Sequence, residues 1–315
     1  MELTVCPLCN ESLYTTAHEG RSGNFVLCSD CGLVYQNPRM NDAELTQFYA
    51  ERYQMERHKV ADIETAMRRM RQAKRFKQKK KRAKEIAGLL GPSSRVLEVG
   101  AGYGMLLAAI REVTGAQVEG VEPSSIAVRV AKDAFGLSME QCDVDTFLEK
   151  EHELYDLIVM SHVIEHFSNP KDTLAALRKL LASGGTLYIA VPNICMPDDA
   201  PDRFFHSEQL TFFSPRTLVR MLDEAGFAVT LLEARARELV VRAVVADSGV
   251  IQSGMWQAYQ GTKEDVRTAL ERNRRKYAIL SMLRRVSEYV LPKKVSNMLR
   301  DVFIWVFIQI GFIRQ

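Results

Sequence analysis

The sequence predicts an α/β protein: a Rossmann-like, seven-stranded, mostly parallel sheet, with a small cysteine-bearing module before it and a helical extension after it. Three observations carry that expectation. After the turn-like stretch "GPSS", residues 91–94, short β-rich runs alternate with helical stretches, the rhythm of βαβ units around a parallel sheet. Ahead of it, residues 1–40 hold two Cys-x-x-Cys pairs. Past residue 247 the apolar spacing turns helical again. The expected divisions are a head at 1–40, a helical linker at 41–90, the sheet domain at 91–247 and a C-terminal helical extension with an apolar tip at 248–315.

Composition narrows the class. A chain of 315 residues suits about two domains, and 47% hydrophobic with 26% charged residues is the make-up of a soluble globular protein. The net charge of +3 is too mild to imply a polyanion partner by itself. The longest apolar run, residues 302–313, falls short of the ~20 residues a spanning helix needs. The N-terminus "MELTVCPLCN" has no basic region followed by an apolar run, so a cytoplasmic location is expected. There, six cysteines are thiols or metal ligands rather than disulfides.

The elements follow in order. Cys6-Pro-Leu-Cys9 and Cys28-Ser-Asp-Cys31 each place two thiolates on one tight turn, and two such turns facing each other make a closed, tetrahedral, four-cysteine site. Zinc is the expected ion, structural because a module this small lacks the core to fold unaided; the head is thus expected to be a zinc ribbon. Gly32 suits a left-handed residue after Cys31. From Asp62 to Leu90 apolar residues recur at helical spacing, and residues 68–84 carry eleven Lys/Arg and no acid. Such a stripe fits the phosphates of nucleic acid, anionic lipid headgroups or a nucleotide-linked substrate; the alternative is a solvated helix face.

Strands are expected at 95–99, 117–121, 155–160 and 186–191, with a third before "CDVD" and two last ones in "GFAVTLLEA" and "ARELVVRAVVAD". Ligands of such sheets bind beyond the carboxyl ends of the strands. The first strand ends in "EVGAGYG", whose Gly100, Gly102 and Gly104 let the backbone approach a ligand closely. Met105 stands where a dinucleotide fingerprint needs glycine, so another nucleoside ligand fits better. Glu122 ends the next strand, where a carboxylate accepts ribose hydroxyls, and Asp143 is placed to meet an adenine amino group.

"VLEVGAGYG", "GVEPS", "CDVDTF", "YDLIVMSHVIEHFSNP" and "GGTLYIAVPN" resemble, in order, the motifs of class I S-adenosylmethionine-dependent methyltransferases. The resemblance covers about residues 85–245 and implies an antiparallel final strand. It also implies that S-adenosyl-L-methionine is held by Gly100, Gly102, Gly104, Glu122, Asp143 and Val144, with Glu98 orienting the loop and His162 near the methyl group. "CPLC…CSDCGLVYQNPRM…ELTQFYAERY" is similar to the zinc-binding heads of bacterial methyltransferases that act on sugars, with Tyr49 and Tyr53 as the matching tyrosines.

Methyl transfer needs an aligned nucleophile and, for a hydroxyl, a proton acceptor. His162 as a neutral imidazole is a candidate base. "H-V-I-E-H" also resembles metal-dependent O-methyltransferases, which would make Glu165, His166 and His206 a magnesium site. The loop 192–214 is expected to form the acceptor pocket and ends in "SEQLTFFSPRTL", similar to the family's "E-H-L-x-F-F-S-P-x-x-L". There Glu208 is the retained acid, Gln209 replaces the histidine associated with C-methylation, and His206 stands in as a base, favouring O-methylation of a sugar hydroxyl. Ser214-Pro215 reads as an N-cap and first-turn proline. The expected partner is a small-molecule or glycan acceptor, free or nucleotide- or lipid-linked. The alternatives are an RNA methyltransferase and a non-catalytic binding module. Trp305 and its neighbours in the apolar tip suit peripheral membrane contact or a homodimer through the C-terminal helix.

Overall fold

A computed structural model describes residues 1–49, 62–70, 73–235, 237–246 and 255–290. The apolar tip, Tyr53 and part of the basic run lie outside them.

The head supplies strands β1 (Tyr14–Gly20), β2 (Gly23–Cys28) and β3 (Val34–Gln36). Helix α1 (Asp42–Gln47) follows, capped by Asn41 in a reciprocal capping box with Glu44. The basic run folds as α2 (Ile63–Met70) and α3 (Ala73–Ala87), the latter stopping at the Gly88 turn, short of Leu90. Then come β4 (Arg95–Val99), α4 (Met105–Thr114), β5 (Gln117–Val121), α5 (Ser125–Phe135), β6 (Met139–Glu140), α6 (Val144–Leu148), β7 (Tyr155–Ser161), α7 (Pro170–Leu177) and β8 (Leu181–Pro192). The chain continues through α8 (Pro201–Phe204), β9 (Thr211–Phe212), α9 (Pro215–Glu224), β10 (Phe227–Ala234), β11 (Glu238–Val245) and α10 (Lys263–Val290).

The main sheet is seven-stranded, in the order β10-β11-β8-β7-β4-β5-β6. Strands β6, β5, β4, β7 and β8 pair in parallel, and β11 alone runs against its neighbours, as the resemblance implied. Its middle strands are apolar because both faces are covered. On one face Ala83 and Ile86 of α3 pack with Val96, Leu106, Ile110 and Tyr188. On the other, α7 and α9 bring Leu174, Leu177, Leu218 and Leu222 onto Ile158, Met160 and Leu187.

A second, four-stranded sheet has the order β1-β2-β3-β9. The head makes its first three strands, and the last comes from the loop beyond β8, with Val34 opposite Phe212 and Tyr35 opposite Thr211. Alternation along β2 divides its faces. Phe25 and Leu27 turn to Phe204, Phe205 and Phe212, whereas Val26 and Cys28 turn to the core that holds Phe213 and Leu218. The head and the loop beyond β8 therefore share one sheet and two cores.

Among the described residues no helix is long and apolar enough to cross a membrane. Ser214 caps α9 as expected, accepting from the Thr217 amide and donating to the Gly261 carbonyl at 2.8 Å. Ser214→Ala is expected to cost about 1–2 kcal/mol of stability through the lost cap and buried bond, read as a lower urea midpoint with an unchanged slope.

Candidate active site

Strands β4, β5 and β7 end on the same edge of the sheet, and their exits open into a cavity of about 900 Å³. Gly100, Gly102, Glu122, Asp143, Val144, Glu98 and His162 all line it. Gly104 does not. A side chain there would meet Leu137 at 2.6 Å, so Gly104, at φ +68°, serves the packing of α4 against α5. Gly102, at φ +54°, faces open space, which leaves its backbone free for a ligand's close approach.

Glu122 is buried and already oriented: its oxygens accept from the Gly102 amide at 2.9 Å and the Ser124 amide at 3.0 Å. Burial pushes its pKa up against those bonds. Asp143 caps α6 with one oxygen, taking the Thr146 amide at 2.8 Å. Glu98 is buried with one carboxylate oxygen unpartnered among the described residues. Desolvation pushes it up to about 7, although the ammonium of Lys79 acts the other way. Lys79, from α3, lines the cavity and is itself pushed down by burial. Asp42, Leu45 and Tyr49, just after the head, line it too. The Tyr49 hydroxyl donates to the Glu208 carbonyl at 2.8 Å, and its ring stands edge-on to His166 at 5.8 Å. A half-open cavity with an open glycine loop, a pre-set acid at the end of β5 and an unsatisfied carboxylate at Glu98 fits a nucleoside bearing a polar, charged tail.

His162 follows β7 with φ +61°, a conformation rare outside glycine. Its Nε2 is 3.3 Å from Glu238 and its Nδ1 3.6 Å from Glu165. Burial works to lower its pKa, but the two carboxylates outweigh it and raise it to about 9. The neutral imidazole expected from the sequence is therefore an imidazolium at pH 7. Glu238 is held down at about 2, its burial outweighed by His162 and Arg82.

On the far side of His162 lies a second cavity, of about 820 Å³. His162 is the one described residue that lines both. His206 and Gln209 line the second cavity, together with Asp198, Asp199, Asp202, Arg203, Arg235, Arg237 and Glu238; Pro192 and Phe204 are its apolar members. Glu208 lines neither. Its backbone carbonyl takes Tyr49 and His166, the latter through Nδ1 at 2.7 Å, so it sits behind the cofactor-side wall.

The magnesium site expected at Glu165, His166 and His206 is not assembled. Glu165 turns to His162, His166 turns to the Glu208 carbonyl, and His206 faces the other cavity. Among the described residues the one His/Cys/Asp/Glu group close enough to share an ion is Cys6, Cys9, Cys28 and Cys31, whose sulfurs lie within 4.8 Å of one another. Sequence reasoning missed Glu238, Arg82 and Lys79. The helical pattern placed the two bases on α3 without saying which neighbour that face meets, and Glu238 opens a strand that reads as ordinary β.

The family model for the methyltransferase domain matches residues 68–232, just over half of the chain. The chain belongs to the S-adenosylmethionine-dependent methyltransferases. Similar proteins include the ubiquinone biosynthesis O-methyltransferase of Idiomarina loihiensis, 32% identical over 34% of this chain and 44% of that one. The human mitochondrial ubiquinone biosynthesis O-methyltransferase is 27% identical over 43% of this chain and 42% of its own. The chain thus spans about half the length of the curated relatives it matches. Among solved structures, the CcbJ methyltransferase of Streptomyces caelestis aligns with 16% identity, over 54% of this chain and 90% of that one, at a TM-score of 0.45.

The two glycines separate binding from stability. Gly102→Ala is expected to weaken cofactor binding in calorimetry at a stability cost of about 1 kcal/mol from its positive φ. Gly104→Ala, which adds a clash with Leu137, is expected to cost about 2 kcal/mol or more, seen as the larger fall in melting temperature.

Proposed function

We propose that this chain transfers a methyl group from S-adenosylmethionine to a hydroxyl of a hydrophilic acceptor, a sugar of a glycan or of its nucleotide- or lipid-linked precursor. The observation that carries this reading is the meeting of two cavities at His162, the second lined almost wholly by charged and hydrogen-bonding side chains. A polyol finds donors and acceptors there, among charged groups already paired with one another, such as Asp198 with Arg237 at 3.0 Å and Asp199 with Arg203 at 2.7 Å, whereas an apolar acceptor would strip water from them and offer no hydrogen bond in return. Oxygen as the acceptor atom is supported by relatives named O-methyltransferases and by Gln209, which cannot act as a base.

The cofactor supplies an electrophilic methyl on a positively charged sulfur. Glu122 would hold the ribose hydroxyls, Asp143 and Val144 the adenine, and Lys79 the methionine carboxylate. His162, once it gives its own proton to solvent, takes the proton of the acceptor hydroxyl. His206 is the second candidate base, on the acceptor wall. The basic run supports nucleic acid less than its composition suggests, because Lys80 pairs with Glu112 and Arg82 with Glu238, and Lys79 faces the cavity.

The four cysteines are proposed as a structural zinc site. Tetrahedral zinc at ~2.3 Å from each sulfur spaces the sulfurs about 3.8 Å apart, close to the 3.5 Å between Cys6 and Cys31 and between Cys9 and Cys28. Cys6, Cys9, Cys28 and Cys31 would hold the ion and so staple the sheet that carries β9.

Three outcomes test these readings. With methyl-labelled cofactor and an extract of a deletion strain, label is expected in the glycan or nucleotide-sugar fraction; label confined to RNA would overturn the acceptor assignment. His162→Ala is expected to leave cofactor affinity within about twofold while turnover falls by about 10²-fold or more, on the order of general-base catalysis. Metal analysis of protein purified without added metal should find about one zinc per chain, lost together with the melting transition when a strong chelator is added.

A further inference from the structure

We propose that Glu238 is a positioning residue for the methyl transfer, holding His162 at the junction of the two cavities with Arg82 as its anchor. The inference rests on the methyl-transfer reading and deepens it.

His162 cannot hold itself. It lies beyond the end of its strand with a left-handed backbone, so its ring direction is set by what it touches. Of its two carboxylate neighbours Glu238 is the nearer, at 3.3 Å, while the 3.6 Å to Glu165 exceeds hydrogen-bond length. Glu238 is in turn fixed. Both of its oxygens accept from the Arg82 Nη2, at 2.6 and 2.5 Å, and Arg235 stands 3.4 Å from Oε1. The other terminal nitrogen of Arg82 donates at 2.7 Å to the hydroxyl of Ser161, the residue just before His162. Arg82 therefore ties the exit of β7 to the entry of β11 from a third element, α3. The charged groups facing His162 are Glu165 from the short turn after β7, Glu238 from β11 and Arg82 from α3, with Arg235 behind Glu238.

In the working form the neutral ring donates its Nε2 proton to Glu238, which leaves the lone pair on Nδ1. That nitrogen takes the hydroxyl proton as the acceptor oxygen gains the methyl and the sulfur–carbon bond breaks, leaving a thioether. The imidazolium so formed is neutralised by the two carboxylates, and its extra proton leaves to solvent. Orientation of a histidine base by a buried carboxylate is a recurrent solution to this problem.

The test joins an equilibrium readout to a kinetic one. The His162 imidazole is titrated by NMR in the full-length protein without acceptor, in the wild type and in Glu238→Gln. Rates are then measured across pH with the acceptor found by methyl labelling. In Glu238→Gln the ring is expected to titrate at least one unit lower, the rising limb of the rate profile to move by the same amount, and the plateau above it to fall about tenfold or more. Glu238→Asp, which keeps the charge, should restore most of the plateau and guards against a variant that merely folds poorly. Unchanged titration of His162 in Glu238→Gln overturns the proposal. A loss of stability with no movement of the limb also overturns it, leaving Glu238 a purely structural ion pair. If the titration moves but no hydroxyl acceptor is methylated by the wild type, the function reading fails instead and the contact between Glu238 and His162 stands.

Discussion

The centre of this molecule depends on one register. Strand β11 runs against β8 with Glu238 opposite Pro192 and Leu239 opposite Val191. Because β11 is antiparallel, its first residue lies on the edge where the parallel strands finish, beside the exit of β8 and one strand away from that of β7. A slip of one residue would turn Glu238 to the other face and strand the guanidinium of Arg82 in a site where both partners are nearly buried. An unpaired charge in such a place costs several kcal/mol, so the pairing is strongly specified. The helix that brings Arg82 is sewn to the same strand by further contacts. Arg242 donates to the Glu85 carbonyl at 2.7 Å, Arg235 reaches the Glu85 carboxylate at 3.0 Å, and Ile86 packs in one cluster with Val240. Much of the inward charge of the basic run is thus scaffold for the site.

The second cavity is assembled from segments far apart in the chain. Its floor is the exit of β7 and β8, and its wall is the stretch around α8, which leads into β9. That stretch is held from one side by the head's sheet, through Phe25 and Phe205 with ring centres 4.9 Å apart. It is held from the other by α10, where Asn273 donates to the carbonyls of Pro197 and Asp199 and Tyr277 to that of Asp198. The cofactor side is formed from the sheet itself, closed by α1 and Tyr49. A first cavity built on strand ends and a second built on a loop braced by neighbouring modules is the division expected when loops set specificity and sheets set chemistry.

The sequence showed the sheet and the cofactor-facing residues clearly, since they obey local rules. Alternating βαβ texture placed β4 and β5 to the residue, the glycine loop announced a close backbone approach, and Ser214 announced the start of α9. The Cys-x-x-Cys spacing foretold the sulfur cluster. What stayed hidden is non-local. No local pattern says that residues 211–212 complete the head's sheet, because two residues carry no periodicity. The upward push on the pKa of His162 is partly local, from Glu165 three residues on, and partly from Glu238, 76 positions away in the chain, across a pairing that composition does not encode. His206 and His166 looked like partners in sequence, yet the turn after β7 and the loop after β8 send them to different cavities. Gly104 reads like Gly102, and only the packing of Leu137 over it separates their roles.

The orientation of the bound cofactor is the most direct test of the claim that the two cavities meet at the reacting centre. A crystal structure of the protein with S-adenosylhomocysteine is expected to show the ribose on Glu122, the adenine beside Asp143 and Val144, and the sulfur directed past His162 toward the second cavity. A sulfur directed away from His162 would contradict it, because no acceptor held against His206 and Gln209 would then meet the methyl group.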